Sequence, residues 1–200
     1  MLQIYHVTGT RGMRAIWLCE ELGLDYEVTK IDFSAEYRAT PEWRKLNPVG
    51  KVPVMIDNHM TMFESGAMVQ YLLDKYGAGQ LVPALDNPSY GHYLQWFWFA
   101  EATLARPMGE VVNHRREFKP ELPEVVAEME NRAAVCLLAV ADHLRGRSYL
   151  VNEQFTAADI MMGYSIVLAH ALIPDQVPAH LAPYWQQISA RPAFIKANAV

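Results

Sequence analysis

The stretch from Asn47 to Val54, NPVGKVPV, places two prolines and a glycine directly before an apolar, strand-like segment. Proline fixes its own φ angle and has no N–H group, so it usually ends a strand rather than beginning one. At an X–Pro bond, however, the cis form costs only about 0.5–1 kcal/mol. Two alternatives follow for Val52-Pro53: a cis bond whose open backbone groups pair with an extended peptide, or a trans proline on an edge strand.

Short strand-like and helix-like segments alternate on both sides of this stretch, across residues 1–80. Apolar runs that alternate or contain β-branched residues predict strands, and apolar residues at helical spacing predict helices. The predicted strands span 2–5, 26–31, 54–56 and 60–63, and the predicted helices span 13–22 and 65–76, with a short helix or turn at 41–46. This order predicts an α/β domain over residues 1–78.

The second half of the chain has a different pattern. Turn-forming residues fill the segment 79–87, which we interpret as a linker. Beyond it no segment alternates like a strand, and the periodicity predicts helices at 90–112, 124–144, 156–171, 180–190 and 192–197. Thr156 and Asp159 have the spacing of a capping box at the start of one of these helices. We therefore predict an all-α domain over residues 88–200.

Composition narrows the class of protein. The chain is 52% hydrophobic, as expected for a globular protein with a core, and its net charge of −5 argues against nucleic acid as a partner. No apolar run approaches the roughly 18 residues of a membrane helix, and the N-terminus lacks a signal-peptide pattern. Cys19 and Cys136 form no C-x-x-C motif, which favours reduced thiols in a cytoplasmic protein. The seven histidines match no metal-binding motif, so we expect no metal.

Two further segments contain candidate binding residues. Glu64 and Ser65 lie at the junction between the predicted hairpin and the helix 65–76. A helix N-terminus binds carboxylates, and a carboxylate such as Glu64 can hold an ammonium, so the pair suits the zwitterionic end of an amino acid. Ser65 as a simple helix cap is the alternative. The segment 8–14, TGTRGMR, follows the first strand and matches no nucleotide-binding motif, and Arg14 is expected to be a surface or structural helix residue.

These segments together resemble a cytosolic glutathione transferase of bacterial type. The resemblance rests on YHVTGTRGMRAIWLCEELGLDYEV, NPVGKVPV, FESGAMVQYLLDKY and FTAADIMM, and it covers essentially the whole chain. It implies that the α/β domain is thioredoxin-like, that the protein is a homodimer, and that glutathione is the co-substrate. It leaves the subclass open.

The resemblance also implies roles for individual residues in binding glutathione. Pro53 corresponds to a cis proline, and the Val52 backbone to the position that pairs with the cysteinyl unit. Glu64 and Ser65 correspond to the positions that bind the γ-glutamyl end. Lys51, together with Arg38 or Arg44, stands where family members hold the glycyl carboxylate.

The catalytic group is where this sequence departs from the family pattern. A free thiol has a pKa of about 8.5, so a hydrogen-bond donor is needed to stabilise the thiolate at neutral pH. The loop after the first strand contains neither serine nor cysteine. Thr10, near the serine position, is the first candidate, with Arg11 assisting, and Tyr5, near the tyrosine position of other subclasses, is the alternative.

The second substrate is expected to bind between the domains. The aromatic segment 90–99 and the residues after it suggest Tyr93, Phe97, Arg106 and Met108 as the electrophile pocket, although aromatic residues here also suit a core or a subunit contact. The implied reaction is attack of the glutathione thiolate on a small apolar electrophile, or glutathione-dependent reduction of a peroxide or disulfide. A non-catalytic protein that uses the same fold for binding is the alternative.

Overall fold

The computed structural model describes all 200 residues, and they divide into two compact units. The first unit comprises Met1–Leu81 together with Ala190–Val200, and the second comprises Val82–Ser189. The domain ranges predicted from the sequence differ from these units at the C-terminus, because the last eleven residues group with the α/β unit rather than with the helical one.

A four-stranded mixed sheet forms the centre of the first unit. The strands are β1 (Leu2–His6), β2 (Tyr26–Lys30), β3 (Val54–Asp57) and β4 (Met60–Phe63), in the order β2-β1-β3-β4. β1 and β2 are parallel, whereas β1 and β3, and β3 and β4, are antiparallel. The predicted order of strand, helix, strand, crossover and hairpin is therefore confirmed, and the unit is a thioredoxin-like α/β fold.

Five helices belong to this unit: α1 (Met13–Leu22), α2 (Ala35–Ala39), α3 (Pro41–Leu46), α4 (Ser65–Tyr76) and, at the C-terminus, α10 (Pro192–Asn198). α2 was not predicted, because five residues are too few to display a helical period. Its start is nevertheless marked by Ser34, whose hydroxyl accepts a hydrogen bond from the N–H of Tyr37.

Packing on α1 explains why the C-terminal segment belongs to the first unit. α1 is buried from Met13 to Cys19, and it contacts both α4 and α10. Phe194 meets Trp17 edge to face at a centroid distance of 4.9 Å. Arg191 donates to both carboxylate oxygens of Glu21 at 2.6 Å. Such a bidentate pair fixes geometry as well as charge, so α10 is attached to α1 by both an aromatic and an ionic contact.

The second unit is entirely helical. It contains α5 (Tyr90–Trp98), a π-helical segment (Phe99–Leu104), α6 (Ala105–Glu117), α7 (Pro123–His143), α8 (Ala157–Leu172), α9 (Ala182–Ser189) and two 3₁₀ turns. The helix predicted at 90–112 is thus a longer run, 90–117, with a π-helical interruption that the apolar spacing did not reveal. π-Helical turns inside α-helices often occur near functional sites.

α8 is the most deeply buried helix of the second unit, with eleven buried residues between Ala157 and Ala169. It begins with the predicted capping box: the Asp159 carboxylate accepts a hydrogen bond from the N–H of Thr156 at 2.8 Å. No helix in the structure is both long enough and apolar enough to cross a membrane.

Candidate functional site

Strand register brings three loops to one end of the sheet in the first unit. β1 ends at His6, β3 begins at Val54 and β4 ends at Phe63. Tyr5 pairs with Val54, which in turn pairs with Phe63 on its other side. The loop after β1, the loop before β3 and the junction of β4 with α4 therefore lie side by side, as a shared ligand site requires.

The loop before β3 is organised by Asn47, which is 3% exposed. Its side-chain Nδ2 donates to the carbonyl of Lys51 at 2.8 Å, and its Oδ1 accepts from the N–H of Val49 at 3.0 Å. Its own carbonyl accepts from the N–H of Gly50 at 2.8 Å. One buried amide thus satisfies the backbone of the whole turn, a role that sequence analysis did not assign to it.

Gly50 is required at its position in the loop. Its φ angle is 68°, which side chains rarely adopt, and a Cβ atom there would lie 2.7 Å from the carbonyl oxygen of Arg38. The Cζ atom of Arg44 would be 2.9 Å away. The glycine therefore lets the loop pack against the segment that carries both arginines.

The Val52-Pro53 bond is cis rather than trans. Pro53 is buried and Val52 is half-buried. The paired register of β3 begins at Val54, so Val52 lies outside the sheet ladder. Its backbone groups are therefore placed where an extended ligand could add to the sheet edge. The Lys51 side chain is exposed beside them.

Ser65 does not cap α4 in the expected way, and that prediction is wrong. Ser65 is the first residue of the helix, Glu64 occupies the preceding cap position, and no side chain makes a cap hydrogen bond. Glu64 has φ 78° and ψ 103°, a backbone conformation rare for a residue with a side chain. Strained residues of this kind concentrate at functional sites. Glu64 is exposed, whereas Ser65 is buried, with 4% of the residue accessible.

Arg14, expected to be a surface or structural helix residue, is fully buried. Its Nη1 atom donates to the hydroxyl oxygen of Ser65 at 3.1 Å, which joins α1 to the start of α4. The sequence signal was available, because Arg14 interrupts the otherwise buried apolar run from Met13 to Cys19. A charged residue on the buried face of a helix usually has a specific partner.

The loop after β1 holds Thr10 against the backbone of the same loop. Its hydroxyl donates to the carbonyl of Val7 at 2.7 Å and lies 3.4 Å from Nδ1 of His6. Gly12 closes the loop, because a Cβ atom there would lie 2.4 Å from the same His6 nitrogen and 3.3 Å from Pro53. The loop after β1 and the cis-proline loop are therefore in direct contact.

His6 is neutral at physiological pH. It is 1% exposed, and burial, assisted by the charge of Lys30, lowers its pKa to about 4. The imidazole beside Thr10 is thus a hydrogen-bonding group rather than a cation. Sequence analysis did not single it out, because one histidine at the end of a strand has no distinctive pattern.

The other two catalytic candidates lie in different surroundings. Arg11 is half-buried and lies two residues before the start of α1. The Tyr5 hydroxyl donates to the side chain of Gln3 at 3.3 Å, and its ring packs edge-on against Trp43 at 5.8 Å. Tyr5 and Gln3 share one face of β1, whereas the buried His6 lies on the other. The hydroxyls of Tyr5 and Thr10 therefore do not converge.

The candidates for the glycyl carboxylate both have contacts within the first unit. The Arg38 guanidinium lies 4.6 Å from the ring centroid of Phe33, and its Nε donates to the Ser34 carbonyl at 3.3 Å. Arg44 donates to the carbonyl of Pro48 at 2.6 Å. Arg44 therefore stabilises the loop before β3, which makes Arg38 and the exposed Lys51 the better placed cations for a ligand.

The four residues suggested for the electrophile pocket do not form one site within the helical unit. Tyr93, Phe97 and Met108 are fully buried. Arg106 instead lines a cavity of about 580 Å3 between α6 and α7, whose lining is Ala102, Thr103, Arg106, Pro107, Glu110, Met129, Asn131, Arg132, Val135 and Cys136. Of the four residues, only Arg106 is therefore accessible to a ligand in a cavity, and the other three belong to the core.

Neither cysteine has the surroundings of a reactive thiol. Burial raises the pKa of Cys19 to about 12, and burial also raises the pKa of Cys136. The structure contains no group of three or more His, Cys, Asp or Glu side chains placed to hold a metal ion.

Comparison with known proteins identifies the family. Residues 1–74 match the family model of the glutathione S-transferase N-terminal domain. Glutathione S-transferase 1 of Schizosaccharomyces pombe is 30% identical over 159 residues, which cover 78% of this chain and 69% of that protein.

Two solved structures are similar over nearly the whole chain. A glutathione transferase of Phanerochaete chrysosporium in complex with oxidized glutathione is 27% identical with a TM-score of 0.87, covering 98% of this chain and 94% of that one. A glutathione transferase family member of Pseudomonas fluorescens with two glutathione bound is 29% identical with a TM-score of 0.85, and the match covers 98% of this chain and 92% of that chain. These relatives confirm the prediction of a glutathione transferase, and this chain belongs to the glutathione S-transferase family.

Proposed function

We propose that this chain binds glutathione across the sheet end formed by the three loops and activates its thiol for attack on a small apolar electrophile. The observation that carries the proposal is the meeting of the cis Val52-Pro53 bond with the Glu64-Ser65 junction at neighbouring strand ends. A tripeptide with a carboxylate at each end matches a site that has an open backbone edge between a helix N-terminus and a pair of cations.

Each part of glutathione has a proposed partner. The cysteinyl backbone pairs with Val52, the γ-glutamyl carboxylate and ammonium lie at Ser65 and Glu64, and the glycyl carboxylate lies near Lys51 and Arg38. A bound glycyl carboxylate needs a cation that the ligand can reach, and Lys51 meets this condition because its side chain is exposed.

Thr10 is the proposed thiolate donor, with the positive charge of Arg11 lowering the thiol pKa further. To donate to sulfur, the Thr10 hydroxyl must rotate away from the Val7 carbonyl that it contacts at 2.7 Å. In the conjugation step the thiolate forms a carbon–sulfur bond, and the leaving group departs with its bonding electrons. The enzyme accepts no net electrons, so no redox group is required.

Reduction of a disulfide or peroxide is a second candidate, and the relatives favour it. The similar structures from Phanerochaete chrysosporium and Pseudomonas fluorescens contain oxidized glutathione and two glutathione respectively. In this reaction one glutathione thiolate attacks a disulfide sulfur and releases a thiolate, and a second glutathione then resolves the mixed disulfide to oxidized glutathione. Two electrons pass from two glutathione molecules to the disulfide.

A paired assay tests the proposal. Glutathione should bind, raise the melting temperature and support turnover with a chloronitrobenzene, with hydroxyethyl disulfide, or with both. Ser65→Ala should weaken binding about tenfold or more, because it leaves a charged ligand group without its donor. Ser148→Ala, an exposed serine in the other unit, is the matched control. Unchanged affinity in Ser65→Ala and Glu64→Ala would remove the proposed γ-glutamyl subsite.

The thiol pKa distinguishes the catalytic candidates. Ultraviolet titration of bound glutathione should show a raised thiol pKa in Thr10→Ala and Arg11→Ala, and an unchanged one in Tyr5→Phe. The turnover defect of Thr10→Ala should shrink at high pH, where the thiol ionises without help. A raised thiol pKa in Tyr5→Phe alone would assign the role to the tyrosine instead.

We also propose that the protein is a cytoplasmic homodimer, with Arg106, which lines the cavity between α6 and α7, contributing to the electrophile side in place of the buried Tyr93, Phe97 and Met108. Trp98 is 47% exposed, as expected for an aromatic residue that a subunit contact covers. Light scattering across a hundredfold concentration range tests this assembly, and a constant monomer mass would refute it.

A further inference from the structure

Arg14 and Ser65 form a buried contact between two helices of the first unit. Arg14 is fully buried on α1, and its Nη1 atom lies 3.1 Å from the Ser65 hydroxyl oxygen at the first position of α4. Ser65 itself is only 4% exposed. The two residues are 51 positions apart in the chain, so the contact exists only because α1 packs on α4.

The direction of this hydrogen bond fixes the orientation of the hydroxyl. A guanidinium can only donate, so the Ser65 oxygen must accept. The hydroxyl then keeps one hydrogen, which points away from Arg14 and remains available to donate. A hydroxyl oxygen that accepts from a charged group also becomes a stronger donor, because hydrogen bonds in a chain polarise one another.

The surroundings of the hydroxyl favour an anion. Ser65 begins a helix of twelve residues, and the first turn contains no acidic side chain. The N–H groups of a first turn have no intrahelical partner and carry partial positive charge. The backbone turn at Glu64, with its positive φ angle, places these groups at the end of β4. Arg14 adds a full positive charge behind them.

We propose that Arg14 is a positioning residue for the carboxylate subsite: it holds the Ser65 oxygen from the protein interior, so that the Ser65 hydrogen is directed at the γ-glutamyl carboxylate of glutathione. Arg14 acts through Ser65 and does not touch the ligand. This inference rests on the proposed function, and it makes the affinity for one carboxylate depend on a residue on a different helix.

A double-mutant cycle measured with two ligands tests the proposal. The single variants are Arg14→Met, Arg14→Lys and Ser65→Ala. The double variants combine Ser65→Ala with each of the two substitutions of Arg14. The ligands are glutathione and γ-aminobutyryl-cysteinylglycine, which lacks only the α-carboxylate of the γ-glutamyl unit. Binding is measured by calorimetry, after thermal unfolding has shown that each variant is folded at the assay temperature.

We expect Arg14→Met to weaken glutathione binding about tenfold in the presence of Ser65, and less than twofold when Ser65 is already alanine. It should change binding of the decarboxylated ligand less than twofold in both backgrounds. Arg14→Lys should lose less affinity, because the charge is kept while the planar fork is lost. If Arg14→Met does not fold, Arg14→Lys is used instead for the comparison of the two ligands and for the comparison with and without Ser65.

A merely structural role gives a different result. An equal loss for both ligands, or an equal loss with and without Ser65, would overturn the positioning role while leaving glutathione binding intact. Failure of the wild-type protein to bind glutathione would instead remove the proposed function, and this inference with it. Arg147→Met, an exposed arginine in the other unit, should leave the affinity for both ligands unchanged.

Discussion

Each unit of the molecule contains a buried aspartate that connects separate elements, and the two carboxylates have opposite electrostatic surroundings. In the first unit Asp57, at the end of β3, is 3% exposed. It accepts hydrogen bonds from the ammonium of Lys75 at 2.5 Å and from the hydroxyls of Tyr71 and Tyr76, each at 2.7 Å. All three donors lie on α4, so the carboxylate attaches that helix to the sheet.

In the second unit Asp159 is fully buried near the start of α8. It accepts hydrogen bonds from the backbone N–H groups of Thr156 at 2.8 Å and Leu150 at 3.1 Å, and from the hydroxyls of Thr156 at 3.1 Å and Tyr184 at 3.0 Å. Every one of these donors is neutral. The carboxylate therefore joins α8 to the preceding loop and to α9 without an opposite charge.

The difference decides the direction of the pKa shift. Burial alone would raise both values. At Asp57 the hydrogen bonds and charge of Lys75, with the two tyrosines, outweigh burial and lower the pKa to about 2. At Asp159 burial outweighs its hydrogen bonds and raises the pKa to about 6. A cationic partner, rather than the number of hydrogen bonds, thus determines whether the pKa of a buried carboxyl group lies below or above its usual value.

The largest expected effect is that of Asp159→Ala. It leaves four buried donors without an acceptor, and we expect the free energy of unfolding to fall by about 3–5 kcal/mol. This is more than the roughly 0.5–2 kcal/mol that loss of a helix cap alone would cost. Chemical denaturation measures it, with Asp86→Ala, an exposed aspartate of the same unit, as the control. A loss below 1 kcal/mol would mean that these bonds contribute only as a cap.

The second prediction concerns pH. Between about pH 4 and 6 the folded state binds more protons at Asp159 than the unfolded state does, so this group makes stability fall as pH rises, by about 3 kcal/mol in all. Between about pH 2 and 4 the unfolded state binds more protons at Asp57, so stability is lost on acidification, by about 2 kcal/mol.

His6 opposes Asp159 in the upper window, because its lowered pKa makes stability rise with pH between about 4 and 6.5. The differences between wild type and Asp159→Asn, and between wild type and Asp57→Asn, isolate each carboxyl group. The stability difference for Asp159→Asn should vary with pH only between about pH 4 and 6. The stability difference for Asp57→Asn should vary only between about pH 2 and 4. Parallel curves for wild type and Asp159→Asn between pH 4 and 6 would contradict the raised pKa.

Asp57→Ala should have a smaller effect than its counterpart in the second unit. We expect a loss of about 2 kcal/mol at pH 7, because the Lys75 ammonium it leaves behind is 42% exposed and regains water. Asp25→Ala, an exposed aspartate of the same unit, is the control. A loss equal to that of Asp159→Ala would show that burial of the donors, rather than their charge, sets the cost.

Lys75→Met is the mildest of these changes. It should cost about 1 kcal/mol, because solvent screens a partly exposed ion pair. It should also raise the pKa of Asp57 and shift the lower pH window upwards, since only the two tyrosines then oppose burial. Lys45→Met, an exposed lysine on α3, is the matched control. An unchanged acid window in Lys75→Met would assign the low pKa to the tyrosines alone.

Much of the fold could be predicted, because it depends on local periodicity. Strands, long helices and the capping box at Thr156 and Asp159 each have a signal within a short window of sequence. The short helix α2 and the π-helical segment at Phe99–Leu104 lack such a signal. The packing of the last eleven residues on α1 depends on contacts such as Arg191 with Glu21, which join residues 170 positions apart.

In the candidate site, too, some features could be predicted from the sequence and others could not. NPVGKVPV by itself left a cis or a trans bond open at Pro53, and the resemblance to glutathione transferases is what implied the cis form that the structure has. Asn47 could not be singled out as the residue that holds this loop, since an asparagine in a turn has many alternative partners. The strained backbone of Glu64 was equally invisible in the pattern of residues, whereas the position of Arg14 within the apolar run of α1 was a signal that it is buried.

The sequence by itself determined the order of elements and the two types of unit, because these depend on periodicity and on intrinsic restrictions of nearby residues. Only the tertiary structure decided which side chains meet: Arg14 with Ser65, Thr10 with Val7 and His6, and Asp57 with Lys75. It also decided the charge state of the buried groups, because a pKa depends on burial and on partners that the fold brings from distant positions in the chain.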